Sequence, residues 1–401
     1  RINMIKNIKF SNFHSFFEEV EISFEVSKKP ASSMYDINIS DATRLNKVVA
    51  IIGANGSGKT QLIKPLAFLS WFISDSFLGV KPDADIPFQT HMLHKDSDSS
   101  FELIFLINED EYRYKLIINH GKIIYEALFK KTSAQFSYVF IREADITESD
   151  AKYKYKHKGF DFPALEALKI RNNASLISAA YNHDTLLASK LVSYFGKYSY
   201  NLNVTGRYHF QSGDILQTAE YFSHNTILKI QMEEVMCNID TGLNSVSIKE
   251  TQIKSAQGEQ KQSFIPFGKH LNSLGEFTLP FFEESSGTQS AFVLLGRILP
   301  VLEKGGVAII DEIDNDLHPH LLSYFVELFK FSETNPHNAQ IIFTCHTPEV
   351  LNLLMKHQIF LVEKQDQVSE AWRLDQVAGI RADDNLYAKY MAGALEAIPD
   401  V

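Results

Sequence analysis

The chain has 401 residues, of which 45% are hydrophobic and 22% are charged, and its formal net charge at pH 7 is −10. Such a composition is typical of a globular protein with two or three compact units. The acidic balance excludes a surface that binds nucleic acid throughout, and no stretch approaches the roughly 18 consecutive apolar residues of a membrane helix. Two cysteines are too few for a disulfide framework, and we see no signal-peptide layout, so we expect a cytoplasmic protein without membrane contact.

The first predicted elements lead into a glycine-rich loop. Residues 8–26 have a strand-like pattern and are expected to form an edge ribbon. The apolar run 48–52 is followed by Gly53-Ala54-Asn55-Gly56-Ser57-Gly58-Lys59-Thr60. A turn of this kind between a strand and a helix aims backbone N–H groups at phosphate oxygens, and the positive end of the helix adds to the field. The sequence therefore predicts a nucleotide-phosphate site formed by Asn55, Gly56, Ser57, Gly58, Lys59 and Thr60.

Helical spacing of apolar residues after this loop predicts a helix that starts at Lys59 and is kinked by Pro65. Residues 101–129 then have the pattern of a three-strand antiparallel meander, with turns at 108–111 and 119–122. We assign residues 1–142 to the first part of an α/β core with an antiparallel subdomain.

The character of the chain changes between residues 143 and 278. Helical runs at 162–181 and 185–198, separated by polar loops, predict a compact, mainly helical lobe inserted into the core. No heptad pattern extends far enough for a long coiled coil. The same region holds a basic run, which is compatible with a nucleic-acid contact through phosphates and stacked bases or with a solvated strand face; we favour the second. The run comprises Lys152, Tyr153, Lys154, Tyr155, Lys156, His157 and Lys158.

The last part of the chain, residues 279–401, alternates between helices and strands. We predict helices at 289–302, 320–331 and 349–355, and strands at 307–310, 340–344 and 359–363. Alternation of this kind builds a parallel sheet covered by helices.

An acidic pair follows the strand at 307–310. The Thr60 hydroxyl and the Asp311 carboxylate are predicted to hold Mg²⁺, while Lys59 reaches the β- and γ-phosphates. Glu312 is then placed to polarise or deprotonate the attacking water, as a catalytic base. The alternative is a solvated acidic cluster with Asp314 and Asp316.

Two further motifs extend this site. The turn Ser285-Ser286-Gly287-Thr288-Gln289 can present Ser286, Gly287 and Gln289 to a γ-phosphate at the start of a helix. It has no place to act on its own nucleotide, so it implies a dimer; a plain helix cap is the alternative. His346, just after the strand 340–344, is predicted to hydrogen-bond the γ-phosphate. A metal site at His318-Pro319-His320 is disfavoured, since side chains two apart at a helix start point in different directions.

The four motifs in this order resemble those of ABC-type ATPases, and in particular the OLD-like, RloA- and AbiL-like phage-defence group. The resemblance covers most of the chain and extends to Asn12-Phe13-His14-Ser15-Phe16, Arg171-Asn172-Asn173-Ala174-Ser175-Leu176 and the tail from Arg381. It implies an ATPase head that uses ATP and Mg²⁺, a homodimer or larger ring, and an effector such as a Toprim-type or other nuclease or toxin from an adjacent gene. A phage protein as trigger would complete such a system.

The chain departs from that group at several positions. Ser285 replaces the usual leucine and Thr288 the second glycine of the signature, which predicts a stiffer turn and slow hydrolysis. No Q-loop glutamine can be placed, and no Toprim acidic set follows residue 360.

The sequence therefore favours an ATP-hydrolysing sensor subunit of a two-component antiphage system that controls a separate effector. The alternative is a DNA-repair or recombination ATPase that clamps DNA. A transporter subunit is disfavoured by the inserted lobe and the missing Q-loop.

Overall fold

The structure is a computed structural model that describes residues 2–145, 152–203, 206–208, 211–240, 242–254, 260–315, 317, 319–381 and 383–395. Its strands are β1 (Asn3–Ser11), β2 (Val20–Ser23), β3 (Glu25–Val26), β4 (Asp36–Asn38), β5 (Arg44–Asn46), β6 (Val48–Gly53), β7 (Ser99–Ile107), β8 (Asp110–Asn119), β9 (Lys122–Thr132), β10 (Gln135–Ala144), β11 (Tyr153–His157), β12 (Ser199–Tyr200), β13 (Leu202–Asn203), β14 (Gly206–Arg207), β15 (Ser245–Lys254), β16 (Gln260–Asn272), β17 (Gly275–Pro280), β18 (Val307–Ile310), β19 (Gln340–Thr344), β20 (Ile359–Gln365) and β21 (Val368–Arg373). Its α-helices are α1 (Lys59–Gly79), α2 (Ala164–Ala167), α3 (Leu176–Tyr181), α4 (Leu186–Phe195), α5 (Ser212–Ser223), α6 (Thr226–Ile239), α7 (Ser286–Lys304), α8 (Pro319–Glu327) and α9 (Leu386–Met391).

The core is a six-stranded sheet in the order β12-β18-β19-β6-β20-β21. All neighbouring pairs are parallel except β20 and β21, which are antiparallel at one edge. Strands β6, β18 and β19 are buried along their whole length, as continuous apolar strands covered on both faces should be. The predicted parallel sheet is confirmed, and the carboxyl ends of these three strands meet at one edge of it.

A second, antiparallel sheet has the order β11-β10-β9-β8-β7-β1-β2. The predicted meander is confirmed as β7, β8 and β9, and two more strands extend it. The N-terminal segment differs from its prediction, because β1 lies inside this sheet between β7 and β2 and only β2 is at the edge. Long-range pairing decides which strand becomes an edge, and the local pattern of a segment carries no record of it.

Helix α1 fills the space between the two sheets. A single hydrophobic cluster joins α1 to inward residues of β1, β7, β8, β6 and β18, and to α3 and α4. Pro65 lies within this helix, as predicted. Among the described helices α1 is the one long and apolar enough to cross a membrane, but 67% of its apolar window is buried inside the protein. Its apolar character is that of a core helix.

The segment 143–278 divides between two neighbourhoods. Helices α3 and α4 belong to the cluster around α1, whereas α5 and α6 join α7 and the opposite face of the core sheet in a second cluster. The helical run 162–181 forms only the short helices α2 and α3, and strands β15, β16 and β17 form a three-stranded sheet. The segment therefore combines strands with the predicted helices, and its boundaries stay a prediction.

The segment Arg171–Leu176, singled out in the sequence, attaches α1 and α3 to the antiparallel sheet. Arg171 donates to the carbonyls of Ser76, Phe77 and Val80 at the end of α1. Fully buried Glu126 accepts hydrogen bonds from the Ser175 hydroxyl at 2.6 Å and the Leu176 amide at 3.0 Å.

Arg142 is the partner of Glu126 in this buried network. Its Nη1 lies 3.8 Å from Glu126 Oε2, and its guanidinium donates to the carbonyls of Ile170, Arg171 and Ala174. Burial raises the pKa of Glu126, and the charge of Arg142 opposes that shift. Each charge is thus compensated, and the network fixes the segment to the sheet.

Replacing Arg142 with Met is expected to destabilise the protein by about 3–5 kcal/mol, because it leaves the Glu126 carboxylate buried without its counter-charge. Urea unfolding followed by circular dichroism measures this difference. Arg113→Met is the matched control: Arg113 pairs with Glu102 at 3.9 Å but is partly exposed, and its loss should cost less than about 1 kcal/mol. Equal losses for the two variants would contradict the assigned role of the buried pair.

Candidate functional site

The predicted phosphate loop connects β6 to α1 at the edge where the parallel strands end. Gly58 has φ +113°, a left-handed conformation that favours glycine, and it caps the helix. A Cβ at Gly53 would collide with the carbonyl oxygen of Val362 on β20, so the close approach of the neighbouring strand also requires glycine. These backbone constraints explain why the glycines stand at these positions.

Lys59 lies inside the curve of this loop. Its Nζ donates to the carbonyls of Gly53 at 2.8 Å and Ala54 at 3.0 Å. Burial lowers the pKa of Lys59, and the nearby acidic groups oppose that shift. The Ser57 hydroxyl is buried and has no hydrogen-bond partner among the described residues. A buried cation beside an unsatisfied hydroxyl and a helix N-terminus fits the oxygens of a nucleotide phosphate.

Thr60 and Asp311 form the predicted metal-binding pair. The Thr60 hydroxyl lies 2.9 Å from Oδ2 and 3.0 Å from Oδ1 of Asp311. Asp311 is almost fully buried, and burial raises its pKa against the hydrogen bonds from Thr344 and Thr60. A buried carboxylate with an adjacent hydroxyl is a donor set that fits Mg²⁺, and the divalent charge would offset the cost of burying the anion.

Glu312 follows directly and has φ +46°, an uncommon conformation for this residue. Its amide donates to the Thr344 hydroxyl at 2.7 Å, which supports this conformation. Arg207 Nη1 lies 2.5 Å from Glu312 Oε2, and His346 Nε2 lies 3.5 Å from Oε1. Burial raises the pKa of Glu312, but Arg207 and His346 outweigh it and hold the pKa below its usual range. The structure thus brings Glu312 and His346 together, as the sequence predicts for the base and the γ-phosphate contact.

His346 is also positioned through its backbone. Its amide donates to Asp314 Oδ2 at 2.9 Å, and the amide and hydroxyl of Thr347 donate to the same oxygen. Asp314 is therefore a structural acceptor that holds the loop after β19. The alternative for Glu312 is a solvated acidic cluster with Asp314 and Asp316. Asp314 orders the loop after β19, whereas Glu312 contacts Arg207 and His346. Asp316 lies outside the described residues.

The signature segment lies at the start of α7. Ser285 is the helix cap, since its hydroxyl accepts from the Thr288 amide at 3.2 Å, and the Thr288 hydroxyl donates to Asp240 at 2.6 Å. Gln289 donates to the Glu284 carbonyl at 2.8 Å. Within the described ranges, no hydrogen bond or ion pair joins Ser286, Gly287 or Gln289 to the phosphate loop. Their role as nucleotide contacts stays a prediction.

Several residues of this site were missed by the sequence reasoning. Asn201, at the end of β12, accepts from the Asp311 amide at 2.7 Å and donates to the Asp311 carbonyl at 2.9 Å. It places an amide side chain beside the end of β18. Arg207 follows on β14. Strands of two residues carry no periodic signal, so neither residue was recognisable in the sequence.

Ser369 and Ser15 support the phosphate loop from outside. Ser369 Oγ donates to the Ser57 carbonyl at 2.6 Å and lies 2.7 Å from Ser15 Oγ. Ser15 belongs to the predicted motif Asn12–Phe16, and the structure gives that motif a position beneath Gly58.

The basic run forms strand β11 at the edge of the antiparallel sheet, as favoured by the sequence. Tyr153 and Tyr155 donate to the carbonyls of Ile123 and Phe162, at 2.5 and 3.2 Å, and so face the protein. Lys154 and Lys156 are exposed on the opposite face. The tyrosines are therefore not free to stack on bases, while the two lysines are exposed and Lys154 pairs with Asp145 at 2.9 Å.

Metal sites of the His/Cys type are not indicated. Among the residues that the structure describes, no group of three or more His, Cys, Asp or Glu side chains is arranged to hold a metal ion. His318 of the disfavoured His318-Pro319-His320 site lies outside the described residues.

The comparisons with known proteins concern the same part of the chain. The family model described as "AAA domain, putative AbiEii toxin, Type IV TA system" matches residues 48–352, well over half of the sequence. This range contains the phosphate loop, the signature segment, the Asp311-Glu312 pair and His346. No curated protein matches the sequence.

Similar solved structures are heads of SMC proteins. One is the SmcHead bound to the C-winged helix domain of ScpA, with 13% identity, 93% of this chain and 99% of that chain covered, and a TM-score of 0.48. Another is the SMC head domain from Thermotoga maritima, with 13% identity, coverage of 92% and 98%, and a TM-score of 0.44. A third is the Smc head domain with an extended coiled coil bound to the C-terminal domain of ScpA derived from Pyrococcus furiosus, with 12% identity, coverage of 94% and 98%, and a TM-score of 0.45.

Proposed function

This chain belongs to the family of AAA domains described as putative AbiEii toxin, Type IV TA system, and on that premise we propose that it binds and hydrolyses ATP and uses the nucleotide to control a separate effector protein. The observation that carries the proposal is the convergence of Lys59, Thr60, Asp311 and Glu312 at one edge of the parallel sheet. Loop amides, a buried cation, a metal-binding carboxylate and a base are the parts that phosphoryl transfer to water requires.

Each residue has a defined task in this proposal. Lys59 would exchange its carbonyl partners in the loop for phosphate oxygens, and Thr60 and Asp311 would hold Mg²⁺. When bound, the ion would supply positive charge beside the phosphates. Glu312 accepts a proton from the attacking water, and His346, beside it, hydrogen-bonds the γ-phosphate. Arg207 and His346 hold the pKa of Glu312 below its usual range, which favours the carboxylate form but weakens it as a proton acceptor.

A homodimer with ATP at its interface follows from the signature segment. Ser286 and Gly287 lie in the first turn of α7, a 19-residue helix whose positive end favours an anion. Because no contact links them to the loop of the same chain in the described ranges, we assign their phosphate to a second copy. Activity would then depend on association.

The proposal also assigns to this chain the control of a separate effector protein. The family description names a toxin in a toxin–antitoxin system, which supports a two-protein arrangement. We place the chain as the cytoplasmic sensor subunit of an antiphage system of the OLD-like, RloA- and AbiL-like group. Its effector would be a nuclease or toxin from an adjacent gene, and a phage protein would be the trigger.

The alternative function is a DNA-repair or recombination ATPase that clamps DNA. The exposed Lys154 and Lys156 on β11 favour it, because lysines on a strand face can neutralise phosphates. Because Tyr153 and Tyr155 face the protein, they would add no stacking contacts with bases to the affinity for DNA.

Replacing Glu312 with Gln is expected to lower kcat by about 10²–10⁴-fold while ATP binding is retained, because the amide keeps the shape but accepts no proton. Steady-state phosphate release and equilibrium binding of a fluorescent ATP analogue measure the two effects. Glu166→Gln changes a carboxylate that pairs only with Lys169 on the surface, and it should leave both values unchanged. Undiminished turnover in the Glu312 variant would remove this residue as the base.

Mixing two inactive variants tests the shared site. Ser286→Arg inactivates the signature segment and Lys59→Ala inactivates the phosphate loop. A mixed dimer then contains one intact site, formed by the loop of the Ser286 variant and the signature segment of the Lys59 variant. An equal mixture should regain roughly a quarter of wild-type turnover after subunit exchange, since half of the dimers are mixed and each has one of two sites. If exchange is verified by labelled subunits and no activity returns, each chain completes its own site.

The effector proposal is tested by purifying the Glu312→Gln protein together with the product of the adjacent gene. We expect a complex whose amount changes between ATP, ADP and nucleotide-free conditions, and Lys59→Ala should remove that dependence. No complex under any nucleotide condition would reject the effector proposal. Tight, steeply salt-dependent binding of duplex DNA without a partner, lost on replacing Lys154 and Lys156 with Gln, would favour the DNA clamp instead.

A further inference from the structure

Arg207 is the charged residue at the site whose role the motifs do not explain. It lies on β14, which pairs with β13 directly after Asn201. Asn201 holds the backbone of Asp311 through two hydrogen bonds. The segment that begins at Asn201 therefore reaches the two acidic residues in order, the backbone of Asp311 first and the side chain of Glu312 second.

The guanidinium of Arg207 makes two kinds of contact. Its Nη1 lies 2.5 Å from Glu312 Oε2. Both terminal nitrogens also lie 2.8 and 3.1 Å from the end of the Asn315 side chain, and they donate to its oxygen when the side-chain amide is assigned in the flipped orientation that satisfies both groups. The backbone N–H of Asn315 donates to the Glu312 carbonyl at 3.1 Å. One side chain thus binds the carboxylate of Glu312 and the turn that follows it.

These contacts act on only one oxygen of the carboxylate. Oε2 is occupied by a charge-assisted hydrogen bond, which is among the stronger interactions a side chain makes. Oε1 faces His346 Nε2 at 3.5 Å and is the oxygen left to accept a proton. The backbone of Glu312 is held in its left-handed conformation by the Thr344 hydroxyl, and Arg207 completes this fixation at the side chain.

We propose that Arg207 is a positioning residue of the hydrolytic site, which fixes Glu312 and the turn to Asn315 so that Oε1 is presented to the attacking water. The inference rests on the proposed ATP hydrolysis and adds to it a residue outside the four motifs. Geometric fixation of a base contributes to kcat more than to substrate binding, because it matters only when the water is attacked.

The test compares Arg207→Gln with Arg207→Lys in the full-length protein. The Gln variant should lower kcat by about 10- to 100-fold, with KM for ATP changed by less than about threefold. Lysine keeps the charge but lacks the planar fork with which Arg207 reaches Glu312 and Asn315 together, so it should recover part of kcat.

Arg297→Gln is the matched control. Arg297 lines the same small cavity as Arg207 and Glu312, about 60 Å³ in volume, but it donates to the Tyr200 carbonyl at 2.9 Å. Its replacement should leave kcat within about threefold of the wild type, because Glu312 keeps its partner.

Hydrogen exchange of the nucleotide-free proteins provides a readout independent of turnover. The backbone N–H of Asn315 should exchange faster in Arg207→Gln than in the wild type and in Arg297→Gln, since the turn loses its contact with the Arg207 side chain. The Lys variant, which retains a donor, carries the test if the Gln variant does not fold.

An unchanged kcat in the Arg207 variants would overturn the proposal, and so would a raised kcat, which would make Arg207 a restraint on the base. Equal effects of the Arg207 and Arg297 variants on kcat would reduce Arg207 to general support of the fold. If the wild-type protein hydrolyses no ATP, the proposed function fails, whereas an unchanged Asn315 exchange rate in Arg207→Gln contradicts the positioning contact by itself.

Discussion

The Asp311 carboxylate is the point on which the geometry of the site depends. A buried carboxylate is costly unless its oxygens are hydrogen-bonded, and here the hydroxyls of Thr60 and Thr344 lie within 3.0 Å of it. Thr60 lies in the first turn of α1, Thr344 ends β19, and Asn201, just after β12, holds the Asp311 backbone that follows β18. Ends of four elements that are distant in sequence therefore meet at one group, and the parallel order of the strands makes this possible.

The Thr344 hydroxyl connects Asp311 to Glu312, the proposed catalytic base. It donates to Asp311 Oδ1 at 2.7 Å and accepts from the Glu312 amide at 2.7 Å. The proposed metal ligand and the proposed base thus share one hydroxyl, and the unusual φ of Glu312 is stabilised by it. A shift of Asp311 would reach Glu312 through this hydroxyl as well as through the peptide bond that joins them, so the positions of the two side chains are physically coupled.

Elements that have a recognisable local sequence pattern could be predicted from the sequence. The phosphate loop, β18, β19 and the Asp311-Glu312 pair were found because glycine spacing and apolar runs leave a local signal. The three-stranded sheet β15-β16-β17 was missed, and the predicted helix at 349–355 is a 3-10 helix that spans Pro348–Asn352. Asn201 and Arg207 could not be predicted either, because their importance comes from the pairing of β12 with β18 and not from a local pattern.

The signature segment shows how two substitutions change a turn without removing its helix start. Thr288 stands where a second glycine is usual, and its hydroxyl binds Asp240 at the end of α6. Ser285, in place of leucine, caps α7 through the Thr288 amide. A threonine at this position is less flexible than glycine, and its hydrogen bond to Asp240 links the turn to α6. Ser286 and Gly287 are therefore expected to move together with α6 and its neighbours. In a dimer, the position of these donors would then be set by the inserted segment, which gives that segment a physical route to the rate of hydrolysis.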